Sequence, residues 1–465
     1  MTKKKENLNL IVIINVMSTV LVQGLSFFTS ILFMRMLGTA QYGLFSISNA
    51  WMGVIACFMG LGVNNALIIG KIQFKEDYLR YRSCILLFGF LSCVVIFFSI
   101  CVFLFPLSVI MKISPMMVVL ISFGASSQFI ISMVNQSNTF EKKALENFII
   151  AISLAVSSVL LSYFLILNMD PESKYVARMI GLVVPNIIIS FVMGLKMYLE
   201  KPALLKKEYC EFAFKYGIPI VFHLLIGIVL TQSDRIMMQR FGITDSEIGI
   251  YSFFYTVSSI LNFILQALNN SWCPFYCEDL IKKDYEKIKE KTKNYVEVFS
   301  ILTFGFLLLV REVSYLMGGK EYQSGIGLIP VLVLSVFFTF MYQFPVNYEF
   351  FHKKTYFITI ATFISGIINI VLNWFLIPQY RMEGAAIATT ISYGILFLIH
   401  YIIVIKLIDR DFHLDLKVFV PGLFTFVLGW IIFVKLRNLW LIRWGSGLVI
   451  GIIELSRIRK RKTIF

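Results

Sequence analysis

Charge is what this sequence has least of. Only 15% of its 465 residues are Asp, Glu, Lys or Arg, where a soluble domain carries about a quarter. Long hydrophilic stretches are also missing. The two longest, 197–215 and 275–294, fall well short of the roughly 50 residues at which independent domains begin, so an aqueous catalytic domain is excluded. Cysteine is sparse and scattered. Cys57, Cys84, Cys93, Cys101 and Cys273 lie in or beside apolar runs, where a free thiol behaves as a small hydrophobe, and Cys210 and Cys277 lie in hydrophilic segments. Cys273 and Cys277 have no neighbouring His or Cys pair to complete a zinc site, so neither a metal nor another cofactor is expected.

What is present is apolar. Hydrophobic residues make up 58% of the chain and the mean hydropathy is +0.80. Such a chain satisfies its backbone only as helices inside a bilayer, since a barrel would alternate polar and apolar residues. A bilayer needs roughly 20 helical residues per crossing. Fourteen runs meet that length approximately: 10–33, 44–70, 83–110, 115–139, 147–168, 179–196, 216–236, 248–274, 295–317, 325–348, 356–378, 384–405, 417–434 and 438–456. The expected fold is therefore an all-α integral membrane protein with about 14 transmembrane helices. The first run follows Lys3-Lys4-Lys5 but is too long for a signal peptide and is read as a retained helix.

Basic residues set the orientation. With the N-terminus inside, cytoplasmic segments hold 30 of the 42 Lys and Arg, including Arg459-Lys460-Arg461-Lys462 near the C-terminus. Both termini are thus expected in the cytoplasm of a multi-pass protein of the cell membrane. The net charge of +15 is spread over many short segments rather than gathered on one face, which argues against a nucleic-acid partner. The basic stretch near 201–215 lies midway through the first twelve runs and reads as a linker. The expected organisation is an N-terminal six-helix lobe (1–200), the linker (201–215), a second six-helix lobe (216–405), and two further helices with a basic tail (406–465). A repeat supports it. Arg35-Met36-Leu37-Gly38 follows the first run and Arg240-Phe241-Gly242 the seventh, so each copy turns through a glycine into the next helix in the same direction. That is a parallel repeat, as in some transporters, although Arg-x-Gly turns are common at helix ends.

Four patterns carry a family resemblance: Arg35-Met36-Leu37-Gly38-Thr39-Ala40-Gln41-Tyr42-Gly43-Leu44-Phe45; Gly60-Leu61-Gly62-Val63-Asn64-Asn65-Ala66-Leu67; Asp234-Arg235-Ile236-Met237 followed by Gly249-Ile250-Tyr251; and Asn369 and Asn373 before Leu376-Ile377-Pro378, with Gly384-Ala385-Ala386-Ile387-Ala388-Thr389. Over nearly its whole length the chain resembles the polysaccharide and lipid-linked oligosaccharide flippases of the multidrug/oligosaccharidyl-lipid/polysaccharide (MOP) exporter superfamily. Arg381-Met382-Glu383 departs from the family's usual glycine and apolar residue at that turn. The resemblance implies two pseudo-symmetric six-helix lobes around a central cavity, alternating access, and transport of a polyprenyl-diphosphate-linked oligosaccharide from the inner to the outer leaflet. It also implies contact with membrane lipids and with a glycan polymerase or glycosyltransferases of the same pathway.

Charges at membrane depth are costly and face a cavity or a partner. A diphosphate calls for cations, and Arg offers it a bidentate fork. The substrate-binding candidates are Arg35, Arg178, Arg235 and Arg311, with Lys71 at the inner end of the second run. Arg35 and Asp234-Arg235 serve equally well as interfacial anchors that snorkel to water. Arg311-Glu312 reads as an adjacent pair at an interface. Uncharged polar residues suit sugars, among them Asn64, Asn65, Gln128, Asn135, Asn347, Asn369 and Asn373, although each can also bond a neighbouring helix. Asn369 and Asn373 are spaced to share one helix face. Asp234 and Glu349 are the ion-coupling candidates. His223 and His400 stand alone in apolar runs and read as packing residues. Two rival functions remain: a multidrug or cation antiporter of the same superfamily, which would use an acid inside the first lobe, and an integral-membrane glycan polymerase or glycosyltransferase, which would need a long outer loop. Whether ion antiport or membrane potential drives the cycle is open at this level, as is the glycan itself.

Overall fold

The computed structural model describes residues 2–409, 414–436 and 438–459, with side chains from residue 27 to 452. Helices dominate, and no strand occurs among the described residues. In chain order they are α1 (Thr2–Phe58), α2 (Leu67–Phe74), α3 (Tyr78–Val102), α4 (Leu104–Met111), α5 (Pro115–Phe140), α6 (Ala144–Asn168), α7 (Lys174–Leu199), α8 (Lys207–Arg240), α9 (Asp245–Ser258), α10 (Ile260–Lys282), α11 (Tyr285–Gly318), α12 (Leu328–Phe351), α13 (Tyr356–Ile403), α14 (Val420–Lys435) and α15 (Trp440–Arg459).

Nine helical stretches among the described residues are long and apolar enough to cross a membrane. Three of these are longer than one crossing. Phe27–Val102 holds 76 residues, about 110 Å of helix at 1.5 Å per residue against a hydrocarbon core of roughly 30 Å. It must therefore reverse, and the backbone shows where. Gly38 (φ 73°) breaks α1 after the first apolar run, Lys75 (φ 35°) turns the chain between α2 and α3, and Arg381 (φ 51°) breaks α13 between the eleventh and twelfth. With those reversals counted, the helical segments fall on the runs read from the sequence, about fourteen in all.

The second run is not one continuous helix. Gly60, Leu61 and Gly62 all have positive φ, so a 3-10 segment, Met59–Ala66, interrupts it before α2 resumes. Two of the three positions are glycine, which enters the left-handed region without a Cβ clash. Asn65 donates its side-chain amide to the Gly62 carbonyl at 3.2 Å, satisfying an acceptor that the broken helix leaves open. The break also lets α8 come close: a Cβ on Gly217 would lie 2.7 Å from the Leu61 carbonyl oxygen.

The chain gathers into two compact units, Met1–Gly249 and Ile250–Phe465. In the first, α5, α6 and α7 pack together and α1 lies against α5, α7 and α8. Met59, Val118, Ile121, Phe129, Met133 and Val183 are among its core. In the second, α12 packs along α13, and α14 and α15 lie on α11. Many large apolar side chains remain exposed, including Phe98, Phe105, Phe191, Phe363, Trp374 and Phe424. On a soluble protein such surface would aggregate; on a membrane helix it meets lipid.

Candidate functional site

The first unit contains an open cavity of about 500 Å³, walled by Gln128, Ser132, Asn135, Gln136 and Thr139 along α5 and by Asn186 of α7. Ile131 and Phe140 add apolar surface, and among the described residues no charged side chain lines the wall. Helical spacing explains its polar stripe: residues 128, 132, 135, 136 and 139 recur every three to four positions and so share one face of α5. Asn64 donates to the Ser132 hydroxyl at 3.0 Å, and Lys71 to the Phe140 carbonyl at 2.8 Å. These bonds tie the segment after the helix break to the cavity wall. Gln128 and Asn135 were among the sugar-facing candidates; Ser132, Gln136, Thr139 and Asn186 were not. Their spacing was visible, but nothing in one sequence separates a polar stripe facing a cavity from one facing another helix.

Arg178 lies elsewhere in the same unit. Its guanidinium stacks over Phe33 at 4.1 Å and lies 5.4 Å from Phe45, while Nη1 donates to Ser158 and Ser162 at 3.1 and 2.7 Å. Among the described residues no carboxylate meets it. Hydroxyls and ring faces orient the cation without neutralising it.

The two ends of the unit differ. At one, the two turns of the sequence repeat touch reciprocally. A Cβ on Gly43 would lie 1.9 Å from the Asp245 carbonyl oxygen, and one on Gly249 would lie 1.9 Å from that of Thr39. Adding 206 to 43 and 39 gives 249 and 245, so each copy of the repeat presents the same glycine to the same carbonyl of the other. Gly38 and Gly242 match as well, with φ of 73° and 74°. The Thr39 and Ser246 hydroxyls bond across the contact at 2.8 Å, and Lys112 Nζ donates to the Gln239 and Arg240 carbonyls.

At the other end an ion network missed in the sequence closes the bundle. Arg82, 2% exposed, donates to Glu141 at 2.7 Å and to Glu200 at 2.5 Å, and Lys143 pairs with Glu141 at 2.7 Å. Arg82 falls one residue before the third apolar run, and its partners lie 59 and 118 residues away. Burial pushes the Glu141 carboxyl up, but the Lys143 hydrogen bond, the Arg82 charge and Ser137 hold it below its ordinary value.

Several expectations change at this resolution. Asp234 and Arg235 do not snorkel: they are 0% and 5% exposed, and Arg235 donates to the Thr231 carbonyl at 2.8 Å. Arg35 is exposed, close to the Gly38 turn. Arg311 and Glu312 are not partners of each other. Arg311 reaches Asn438 at 3.0 Å, and Glu312 pairs with the fully buried Arg443 of α15, because adjacent residues on a helix point in different directions. In the second unit Asn369 and Asn373 are buried and hydrogen-bonded to each other at 3.1 Å. Asn347, the remaining sugar-facing candidate, donates to Asn269 at 2.9 Å. Glu349 lies inside α12 rather than beyond it and meets His400 at 2.7 Å, so His400 is not alone. No cluster of three metal-ligating side chains occurs among the described residues.

Comparison with known proteins now decides the family. The model for polysaccharide biosynthesis proteins matches residues 11–278, more than half of the chain. The chain belongs to this family. A probable low-salt glycan biosynthesis flippase, Agl15, of Haloferax volcanii is 22% identical over 81% of this chain and 79% of its own. The Lsg locus putative protein 1 of Haemophilus influenzae is 21% identical over 50% of this chain and 59% of its own. Among solved structures, a lipid II flippase, MurJ, in an inward closed conformation superposes with a TM-score of 0.75 at 15% identity, over 96% of this chain and 99% of its own. An inward-facing multidrug resistance MATE family transporter of the MOP superfamily gives 0.62 at 11% identity, over 90% and 98%. These structures share the fold. This polysaccharide biosynthesis family member is thus a multi-pass membrane protein with the fold of those two transporters.

Proposed function

We propose that the protein is a flippase that carries a polyprenyl-diphosphate-linked oligosaccharide, a precursor of a cell-surface polysaccharide, from the inner to the outer leaflet of the cell membrane by alternating access. Its termini are cytoplasmic, and its lobes span residues 1–200 and 216–405. The observation that carries this reading is the cavity of about 500 Å³, whose lining sets amides and hydroxyls among apolar surface and holds no charged side chain among the described residues. That size suits a small-molecule site. Sugars are bound through such neutral donors and acceptors, whereas a drug cation calls for a carboxylate, and none lines the wall. The cavity lies in the half of the unit nearer Arg82, the cytoplasmic half in this orientation, and the crossing of Gly43 and Gly249 closes the opposite end. Such an arrangement suits loading from the inner leaflet.

Arg178 supplies a cation for the diphosphate, with Arg35, Arg235 and Arg311 as further candidates and Lys71 at the entry. Asn64 and Asn65 extend the neutral set, and Asn369 and Asn373 provide its counterpart in the second unit. Asp234 and Glu349 are candidates for coupling to an ion. The MATE likeness keeps the antiporter reading as the rival. One experiment separates the two: removing the protein from its cell and extracting lipids. An undecorated outer surface with lipid-linked glycan retained in the inner leaflet supports the flippase. Normal glycan export with raised sensitivity to cationic drugs supports the antiporter. In the flippase case, Arg178→Ala at normal abundance should cut export at least tenfold and Arg178→Lys should restore part of it.

A further inference from the structure

Glu349 and His400 form an acid–base pair in a place where stability gives no reason for one. Both side chains are essentially without solvent exposure, and His400 Nδ1 lies 2.7 Å from Glu349 Oε1. Glu349 sits near the end of α12 and His400 near the end of α13. Tyr342 stacks over the imidazole with ring centroids 6.0 Å apart. The second oxygen of the carboxylate, Oε2, and the second nitrogen of the ring, Nε2, are buried without a hydrogen-bond partner. A pair kept only for packing would be better replaced by apolar side chains, because buried ionisable groups rarely recover their desolvation cost.

The surroundings do not neutralise the pair. On α12, Tyr348 is turned to Asp409, and His352 packs on the Tyr348 ring. From the segment after α13, Lys406 is exposed and Tyr401 donates to the Leu414 carbonyl. From α10 and α11, Tyr276 and Tyr295 pack around Trp272. Tyr342, Tyr393 and the half-buried Phe357 pack against the apolar cluster of Ala361, Leu396 and Ile403 on α13. Among the described residues no other charged side chain bonds to either member. A net charge of either sign on this dry pair is strongly disfavoured without water. Two ligands are too few for a metal ion, whereas a proton needs no more than these.

We propose that Glu349 and His400 form a proton-binding site that fills in one state of the transport cycle and empties in another, coupling glycan movement to a proton gradient. When α12 and α13 admit water, Oε2 and Nε2 gain partners and the proton exchanges with that side; when the helices close, the site is sealed with one proton inside. This rests on the flippase reading for what is moved, but not for the proton itself. The test uses the purified full-length protein in lipid nanodiscs and its variants Glu349→Gln and His400→Asn. Both keep a neutral hydrogen bond across the pair. Infrared difference spectra between acid and alkaline buffer should show the carbonyl band of a protonated carboxyl in the wild type. Glu349→Gln should lose that band and His400→Asn should shift its midpoint. In proteoliposomes carrying a pH dye, wild-type transport should move protons and Glu349→Gln should not. An unchanged band and proton flux in a well-folded Glu349→Gln protein would overturn the proposal. A band that behaves as expected in a protein that moves no lipid-linked glycan would instead overturn the flippase reading and leave the proton site standing.

Discussion

The first seven helices and the second unit handle polar residues in opposite ways. Across α1–α7, buried serines, Asn138 and Arg82 are the polar side chains of the core, and no carboxylate is fully buried among the described residues. In α9–α15 the core holds Asp279 with Lys291, Glu349 with His400, and Arg443 with Glu312 at its edge. The first region leaves neutral amides along an open wall; the second places charge in dry interior. Amides bind sugars and tolerate a shifting hydration shell. Buried acids hold ions or protons and respond to which side of the membrane wets them. On the proposed reading, the two halves divide the tasks, with cargo in the first and the proton in the second.

Arg82 offers the largest test, since it is the exception in the first region. Replacing it with Met leaves Glu141 and Glu200 facing each other across α5 and α7, and breaking a buried pair typically costs about 3–5 kcal/mol. The melting temperature of the purified protein should fall accordingly. The network also has a pH signature. The Glu141 pKa is depressed in the folded protein, so its contribution is present above the ordinary carboxylate value and lost as pH falls through the folded one. Acid melting curves of the wild type should steepen there, and those of Arg82→Met should steepen less, since the Lys143 and Ser137 contacts to Glu141 remain.

Glu312→Ala makes the matching break in the second unit. It leaves Arg443, fully buried on α15, without its carboxylate. Glu312 is itself 31% exposed, so water softens the loss, and about 3 kcal/mol, the low end for such a break, is expected. The double variant Glu312→Leu/Arg443→Leu should recover most of it. If the double is as unstable as the single, charge was not what fixed α15 to α11.

The repeat contact tests shape rather than charge. Gly43→Ala places a methyl 1.9 Å from a carbonyl oxygen, and overpacking of this kind costs about 1–3 kcal/mol. Gly53, where the nearest atom to an added Cβ is a flexible Ile228 methyl at 3.5 Å, is the control and should accept Ala. Equal melting points for the two variants would show that the Gly43 crossing yields without cost.

The apolar runs made the helices legible because a bilayer imposes its thickness on any chain that crosses it. The repeat was legible through Arg35–Gly38 and Arg240–Gly242, since only a few residue types make such turns. The α13 turn at Arg381 stood out in the sequence as a departure, and its positive φ agrees. Other features carried no local signal. Glu349 and His400 are 51 residues apart, and Arg443 and Glu312 are 131 apart; His400 looked solitary and Glu312 looked paired with Arg311, because the true partners are set by packing rather than by spacing. The polar face of α5 could be read as a stripe, but the space in front of it could not. The break at Gly60–Gly62 was hidden by hydrophobicity, which reports burial and not backbone conformation.

The smallest effect should come from the basic residues of the 201–215 segment, and it separates two uses of the same charge. Lys207 and Glu211 are within 3.7 Å of each other on α8, but their side chains are 88% and 68% exposed. Water screens such a pair almost completely. The order is also the weaker one, with the base preceding the acid, and a cation at a helix N-terminus opposes the helix dipole. Lys207→Ala should therefore leave the melting temperature within error of the wild type. Arg82 carries the same unit charge at the same end of the unit, paired with Glu200, and should not be dispensable. If the positive charges of this segment matter, they do so during insertion, by holding it on the cytoplasmic side. Replacing Lys201, Lys206, Lys207 and Lys215 together should shift a reporter fused at this segment toward the outside in a fraction of molecules, while the correctly inserted fraction melts normally. A lower melting temperature in that fraction would assign these lysines to the fold instead.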